Sequence, residues 1–177
     1  MGWAVASLGS TTNLTVTGAS AMGALHGEHH TVRHPVCART SKNITATPTA
    51  VLSVRVRREF NSRVCQREFR PLHLNASIET ANRAATLDVL INPTIVTGAQ
   101  LWTFVDQSRS SIEKSTSSVT VTGGTYVASI SVSSGAPTQI DLDEFAIRLE
   151  AGDVMVVVAD TVSGSADLRL SLNGHDE

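Results

Sequence analysis

"LSVRVRREF", residues 52–60, decides the fold. Leu52, Val54 and Val56 alternate with Ser53, Arg55 and Arg57. A period of two places the apolar set on one face of a strand and the arginines on the other, as in a half-buried antiparallel sheet. "PLHLNASIE" (71–79) repeats the pattern, with Leu72, Leu74, Ala76 and Ile78 expected inward and His73, Asn75 and Ser77 outward. "GSADLRLSL" (164–172) does so again, with Ala166, Leu168, Leu170 and Leu172 inward and Asp167, Arg169 and Ser171 outward.

The remaining segments fit the same frame. "ATLDVLI" (85–91) and "LWTFVD" (101–106) read as strands, with Asn-Pro and Thr-Gly turn signals between them. "SVTVTGGTYVASISV" (118–132) is expected to be a hairpin turning at Gly123-Gly124. "IDLDEFAIRLEAGDVMVVVAD" (140–160) holds a strand, a turn at Ala151-Gly152-Asp153 and a continuously apolar strand. Its "DLDEFAIRLE" is the one ambiguous stretch, compatible with a short helical turn starting near Asp141 or Asp143. About eight strands at short intervals predict an all-β chain, an antiparallel β-sandwich of jelly-roll type, over residues 46–177.

Residues 1–45 differ. "TTNLTVT" (11–17) fits one short strand, and Gly18 to Lys42 shows neither a period of 2 nor one of 3.6. This predicts an extended N-terminal arm that gains order by lying on a partner. The opening "MGWAVASLGS" has no basic stretch ahead of a long apolar run, so no secretion signal is expected. No apolar run approaches the ~20 residues that span a bilayer, and no membrane association is expected.

Composition agrees with a single β domain plus an appendage. The 177 residues are 41% hydrophobic and 17% charged, which suits a globular chain poor in charge. Lys42 and Lys114 are the only lysines. The net charge of -2 hides an asymmetry: residues 1–88 carry ten basic and five acidic side chains, residues 89–177 four and eleven. Nucleic-acid binders show an overall basic excess with interleaved aromatics. Here the aromatic share is 4%, so no nucleic-acid partner is expected. Arg55, Arg57 and Arg58 are instead candidate protein contacts, because guanidinium pairs bidentately with carboxylates.

"HGEHHTVRHPVC" (26–37) concentrates four of the six histidines. In an extended chain His26, Glu28, His30 and His34 share one face and are candidate metal ligands. Their order matches no metalloenzyme motif and lacks the His-x-His of cupins. A polar contact strip is the simpler reading, with a pH-responsive contact as a variant. No cofactor is expected. A cupin-like metal enzyme using His26, His30, His34 and His73 stands as a minor alternative. Cys37 and Cys65 lack zinc or Cys-x-x-Cys spacing and are read either as separate thiols or as a disulfide, within or between chains. Asp141, Asp143, Glu144 and Glu150 lack calcium-loop phasing and read as an ordinary acidic loop. No Gly-x-Ser-x-Gly, P-loop or dinucleotide motif is present, and no enzymatic activity is expected.

A resemblance adds to this reading. "NPTIVTGAQLWTFVD" (92–106), "VTGGT" (121–125), "LEAGDV" (149–154) and a last strand ending in acidic residues (166–177) follow one another over roughly residues 43–177. The series resembles small virion structural proteins of tailed bacteriophages, in which a polar arm precedes a β-sandwich. It departs from their pattern at Glu150-Ala151, where proline is more usual before Gly-Asp. The resemblance implies a capsid decoration or cement protein, located in the virion and assembled in the host cytoplasm. It would bind the major capsid protein through its arm and form a homo-oligomer, with a trimer favoured. A tail, collar or fibre component is the alternative within the same family.

Overall fold

The computed structural model describes residues 33–60 and 62–177. In chain order the strands are β1 (His34–Thr45), β2 (Thr49–Val56), β3 (Glu59–Phe60), β4 (Arg63–Val64), β5 (Phe69–Ile78), β6 (Ala84–Ile91) and β7 (Thr94–Thr97). They continue with β8 (Thr103–Phe104), β9 (Ile112–Ser115), β10 (Thr120–Thr122), β11 (Thr125–Ser133), β12 (Thr138–Asp141), β13 (Val154–Thr161) and β14 (Ser165–Asp176). A 3-10 turn, Asp143–Phe145, sits in the stretch left ambiguous by the sequence.

Two antiparallel sheets carry the fold, ordered β1-β14-β5-β12 and β11-β6-β13-β2-β9-β8. Eight of these strands form the framework: β1, β2, β5, β6, β11, β12, β13 and β14. One sheet then joins the first, eighth, third and sixth of the eight. The other joins the fifth, fourth, seventh and second. That order is the jelly roll, two interlocked Greek keys in a sandwich. The expected β-sandwich is therefore present, and β3–β4 and the segment from β7 to β10 are insertions between its strands.

The period-2 residues meet between the sheets. Ala166, Leu168, Leu170 and Leu172 are buried as expected and pack with Leu74, Ala76 and Ile78 of β5 and Val54, Val56, Leu87, Val89, Met155 and Val157 opposite. Leu72 is the exception on β5. The β14 register slips between Asn173 and Gly174, so Pro71 and Phe69 take the buried phase and Leu72 is only half-buried. Strand β13, and β2 at its first residues, are apolar on both faces for a physical reason. On the outer side, Ala50, Leu90, Val156 and Val158 form a second cluster with Val119. Val119 comes from the β7–β10 insertion, and the Ala50 amide donates to its carbonyl at 2.8 Å.

Two expectations are corrected. The boundary at residue 45 moves forward: residues 34–45, expected as the end of the arm, form β1, and residues 33–177 make one compact unit. β1 pairs residue for residue with β14, from His34↔Asp176 to Thr45↔Ser165. Its core-phase positions, His34, Val36, Ala38, Thr40, Lys42 and Ile44, mix polar with apolar residues, which hides the alternation from the sequence. The hairpin at Gly123-Gly124 is the other correction. Both glycines have positive φ, but β10 pairs with β7 while β11 pairs with β6. The chain passes between two sheets there, so close to Ile91 and Pro93 that a Cβ on Gly124 would lie 2.7 Å from the Ile91 carbonyl oxygen. The remainder of the expected arm, residues 1–32, lies outside the described residues.

Candidate functional site

Arg55 of β2 and Arg57 just beyond its end gather a set of charged and aromatic side chains. Arg55 sits opposite Glu113 of β9. Its Nε and Nη2 both donate to Glu113 Oε2, at 2.8 and 2.7 Å. Glu113 is only 6% exposed, so its charge needs this partner. Arg57 Nε lies 3.8 Å from the other carboxylate oxygen. Each guanidinium also rests on a ring: Arg55 lies 4.3 Å from the Trp102 ring centre and Arg57 5.2 Å from that of Phe104. Phe104 meets Phe60 edge to face at 6.3 Å, and Arg67 lies 5.5 Å from the Phe60 ring centre. Cation–π contacts contribute about 0.5–1 kcal/mol each where exposed. Their larger effect here is to fix the planes of side chains that otherwise rotate freely.

The row ends in a buried carboxylate. Asp176 of β14 is fully enclosed. It accepts from the Ser111 amide at 2.8 Å, from Ser111 Oγ at 3.2 Å and from Arg67 Nη1 at 3.2 Å. Arg67 Nη1 also donates to the Arg109 carbonyl at 2.7 Å. The Ser111 amide would otherwise be a buried orphan donor, which proteins avoid.

Arg58 extends the row around a cleft of about 400 Å³ lined with Arg55, Arg57, Glu59, Gly152 and Val154. Gly152 has φ +103°, and a Cβ there would stand 2.8 Å from Arg58 Nε. The Gly-Asp turn thus gives the guanidinium its seat. Asp153 holds the turn: its carboxylate accepts from the Glu150 amide and from Asn92 Nδ2, both at 2.9 Å. Among the described residues Arg58 has no carboxylate within ion-pair distance. Arg55, Arg57 and Arg58, the contact candidates of the sequence, are therefore brought together. Two arginines are held by an internal acid, and the third is presented to solvent.

The other candidates are scattered. His26, Glu28 and His30 lie outside the described residues. His34 is in phase with the core-facing Val36 and Ala38 of β1, whereas His73 shares the outer face of β5 with Asn75 and Ser77. The fold thus turns these two histidines of the cupin-like alternative to opposite sides of one sheet. Among the described residues no three His, Cys, Asp or Glu side chains gather into a metal-sized group. Cys37 is exposed and Cys65 is buried in the core, and both are free thiols in the structure. The acidic loop disperses as well. Asp143 accepts from Arg70 Nε at 2.8 Å, and Asp141 caps the Asp143 amide at 3.0 Å.

Sequence reasoning missed Glu113, Trp102, Phe104, Phe60, Arg67 and Asp176 as members of the row. Only Arg55 of β2 and Arg57 just after it hinted at it, since neighbouring like charges on one strand face need compensation from the next strand. Elsewhere on the outer face of this sheet, burial and the nearby Asp88 push the Asp160 carboxyl above its ordinary value. No protein-family model and no curated protein matches the sequence, so the topology of the jelly roll is what assigns this chain its fold.

Proposed function

We propose that this protein is a structural component of a tailed-phage virion, a decoration or cement protein that docks on the major capsid protein shell. The observation that carries a docking role is the arginine–aromatic row. Arginine and tryptophan dominate binding energy at protein interfaces, where a preorganised side chain loses little freedom on contact. Arg57 and Arg58 are presented over a cleft whose outer rim is basic, which suits an acidic shell surface. The jelly roll is a fold shared with viral capsid proteins, and the resemblance of residues 43–177 supplies the choice of shell over other partners. Residues 1–32, with most of the histidine-rich stretch, would add a second contact to a neighbouring shell subunit.

A tail, collar or fibre component is the second reading. It is favoured by the outer face of β1, β14 and β5, where Arg39, Asn75, Arg169, Ala76, Pro137 and Leu170 are among the residues lining an open, mainly apolar cleft of about 500 Å³, suited to a ligand with an apolar face and a polar edge. Quantifying the protein in purified particles separates the two readings. Hundreds of copies per particle are expected for a shell protein, a dozen or fewer for a tail part. Arg58→Glu, which breaks no ion pair among the described residues, should leave the fold intact and strip most copies from the shell. Full occupancy by that variant would overturn the docking role of the row.

A further inference from the structure

The two flanks of the sandwich are unequally defended. On one flank both lysines of the chain act as latches. Lys42 Nζ, on β1, donates to the Thr116 and Ala50 carbonyls at 2.7 and 3.3 Å. Lys114 Nζ, on β9, donates to the Arg39 carbonyl of β1 at 3.2 Å. Burial pushes the Lys42 amine below its ordinary pKa, so this charge is partly drawn into the protein. Charged side chains at a sheet edge, lysine above all, are a common block against pairing with another chain.

Among the described residues the opposite flank has no such block. It consists of β11, the end strand of the six-stranded sheet, and β12, the end strand of the four-stranded one. No charged residue occurs between Lys114 and Asp141, so β11 and its flanking loops are uncharged throughout. β11 runs for nine residues, TYVASISVS, without proline. Its one irregularity lies between Tyr126 and Ala128, and Ala128–Ser133 keep regular register with β6. Among the described residues nothing pairs with its other side. The core also shows through here: Val127, Ala128, Ile130 and Ile140 are only partly buried although they pack on the main apolar cluster. Tyr126 stands 66% exposed at the end of the strand.

We infer that β11 is a self-docking edge, which joins the β11 of a second copy antiparallel about a two-fold axis. An edge strand pairing with its own copy satisfies the same backbone groups on both sides, so an isologous interface needs no other complementary surface. The neutrality of β11 removes like-charge repulsion when two identical edges meet, and its Val, Ile and Thr content suits strand addition. The second copy would continue the six-stranded sheet across the axis and cover the open seam at Ile130. The arrangement is independent of the virion reading, because it requires only the purified chain. It is two-fold, whereas the resemblance favours a trimer.

The test is the mass of the full-length protein by light scattering at tens of micromolar. Twice the chain mass is expected for the native sequence. Ser129→Lys with Ser131→Lys should run at the chain mass with its melting temperature kept, since both serines are exposed on β11. Thr45→Lys with Thr47→Lys, at exposed positions away from β11, should remain a dimer. Amide exchange of the native protein gives a readout without substitutions: β11 amides should lose protection on dilution. A native monomer, a trimer, a dimer that survives the β11 lysines, or β11 protection that ignores concentration would each overturn the inference.

Discussion

Asp176 shows how one side chain at the end of the last strand can hold a distant loop. It has no access to water, and its partners come from residues 67 and 111, both far away in sequence. Removing one member of a buried ion pair is costly because the remaining groups lose their counterpart. Arg67 is about one-third exposed, so its orphaned charge would be partly hydrated. The Ser111 amide would not, since Ser111 is buried. Asp176→Ala is therefore expected to destabilise the protein by about 2 kcal/mol, below the upper range for fully buried pairs. Urea denaturation should show a lower midpoint with the slope unchanged. A midpoint within error of the native one would mean that Arg67 and Ser111 find other partners. The sequence marked this residue only as one of a few terminal acids. Its role comes from β14 running so far along β1 and β5 that its last residues meet the loop before β9.

At the level of elements, the strands with strict alternation were legible and those with mixed faces were not. β14 was read correctly at every inward position from Ala166 to Leu172, because one face is apolar and the other polar. β1 escaped because Thr40 and Lys42 occupy core-phase positions, and Lys42 is tolerated there only by donating to two carbonyls. The arginine row was half legible. Arg55, Arg57 and Phe60 share one stretch of chain, but Glu113, Trp102 and Phe104 come from segments joined to β2 only by folding. The position of β1 also decides how the chain can be shortened. Deleting residues 1–42 would remove most of β1, uncover Leu168, Leu170 and Leu172 along β14 and break the ladder that β1 makes with it. Deleting residues 1–32 would leave every described strand intact. The shorter deletion is expected to melt cooperatively near the native temperature. The longer one is expected to be insoluble or to lack a sharp transition, because several apolar side chains, each worth roughly 1.5–3 kcal/mol when buried, lose their cover. Calorimetry of the two proteins decides the point, and equal transitions would remove β1 from the essential framework.

On the scale of the whole molecule, the question is whether the long segment between β6 and β11 is an appendage or part of the same cooperative unit. Its contacts say that it is part. It supplies β9 and β8 to one sheet, places Val119 over Ala50, Leu90, Val156 and Val158, contributes Trp102, Phe104 and Glu113 to the arginine row, and receives Asp176 through Ser111. An appendage held by one of these would detach early, as weakly packed segments do. One held by all of them must come away when the sandwich does. The chain has two tryptophans, Trp3 and Trp102. With Trp3→Phe, indole fluorescence reports on the insertion alone, while circular dichroism of the backbone reports on both sheets. The two signals are expected to follow one urea transition with the same midpoint and slope, which is the mark of two-state unfolding. A fluorescence midpoint lower than that of the backbone would show that the insertion opens first. The arginine row would then be a surface assembled on a movable flap instead of a fixed part of the jelly roll.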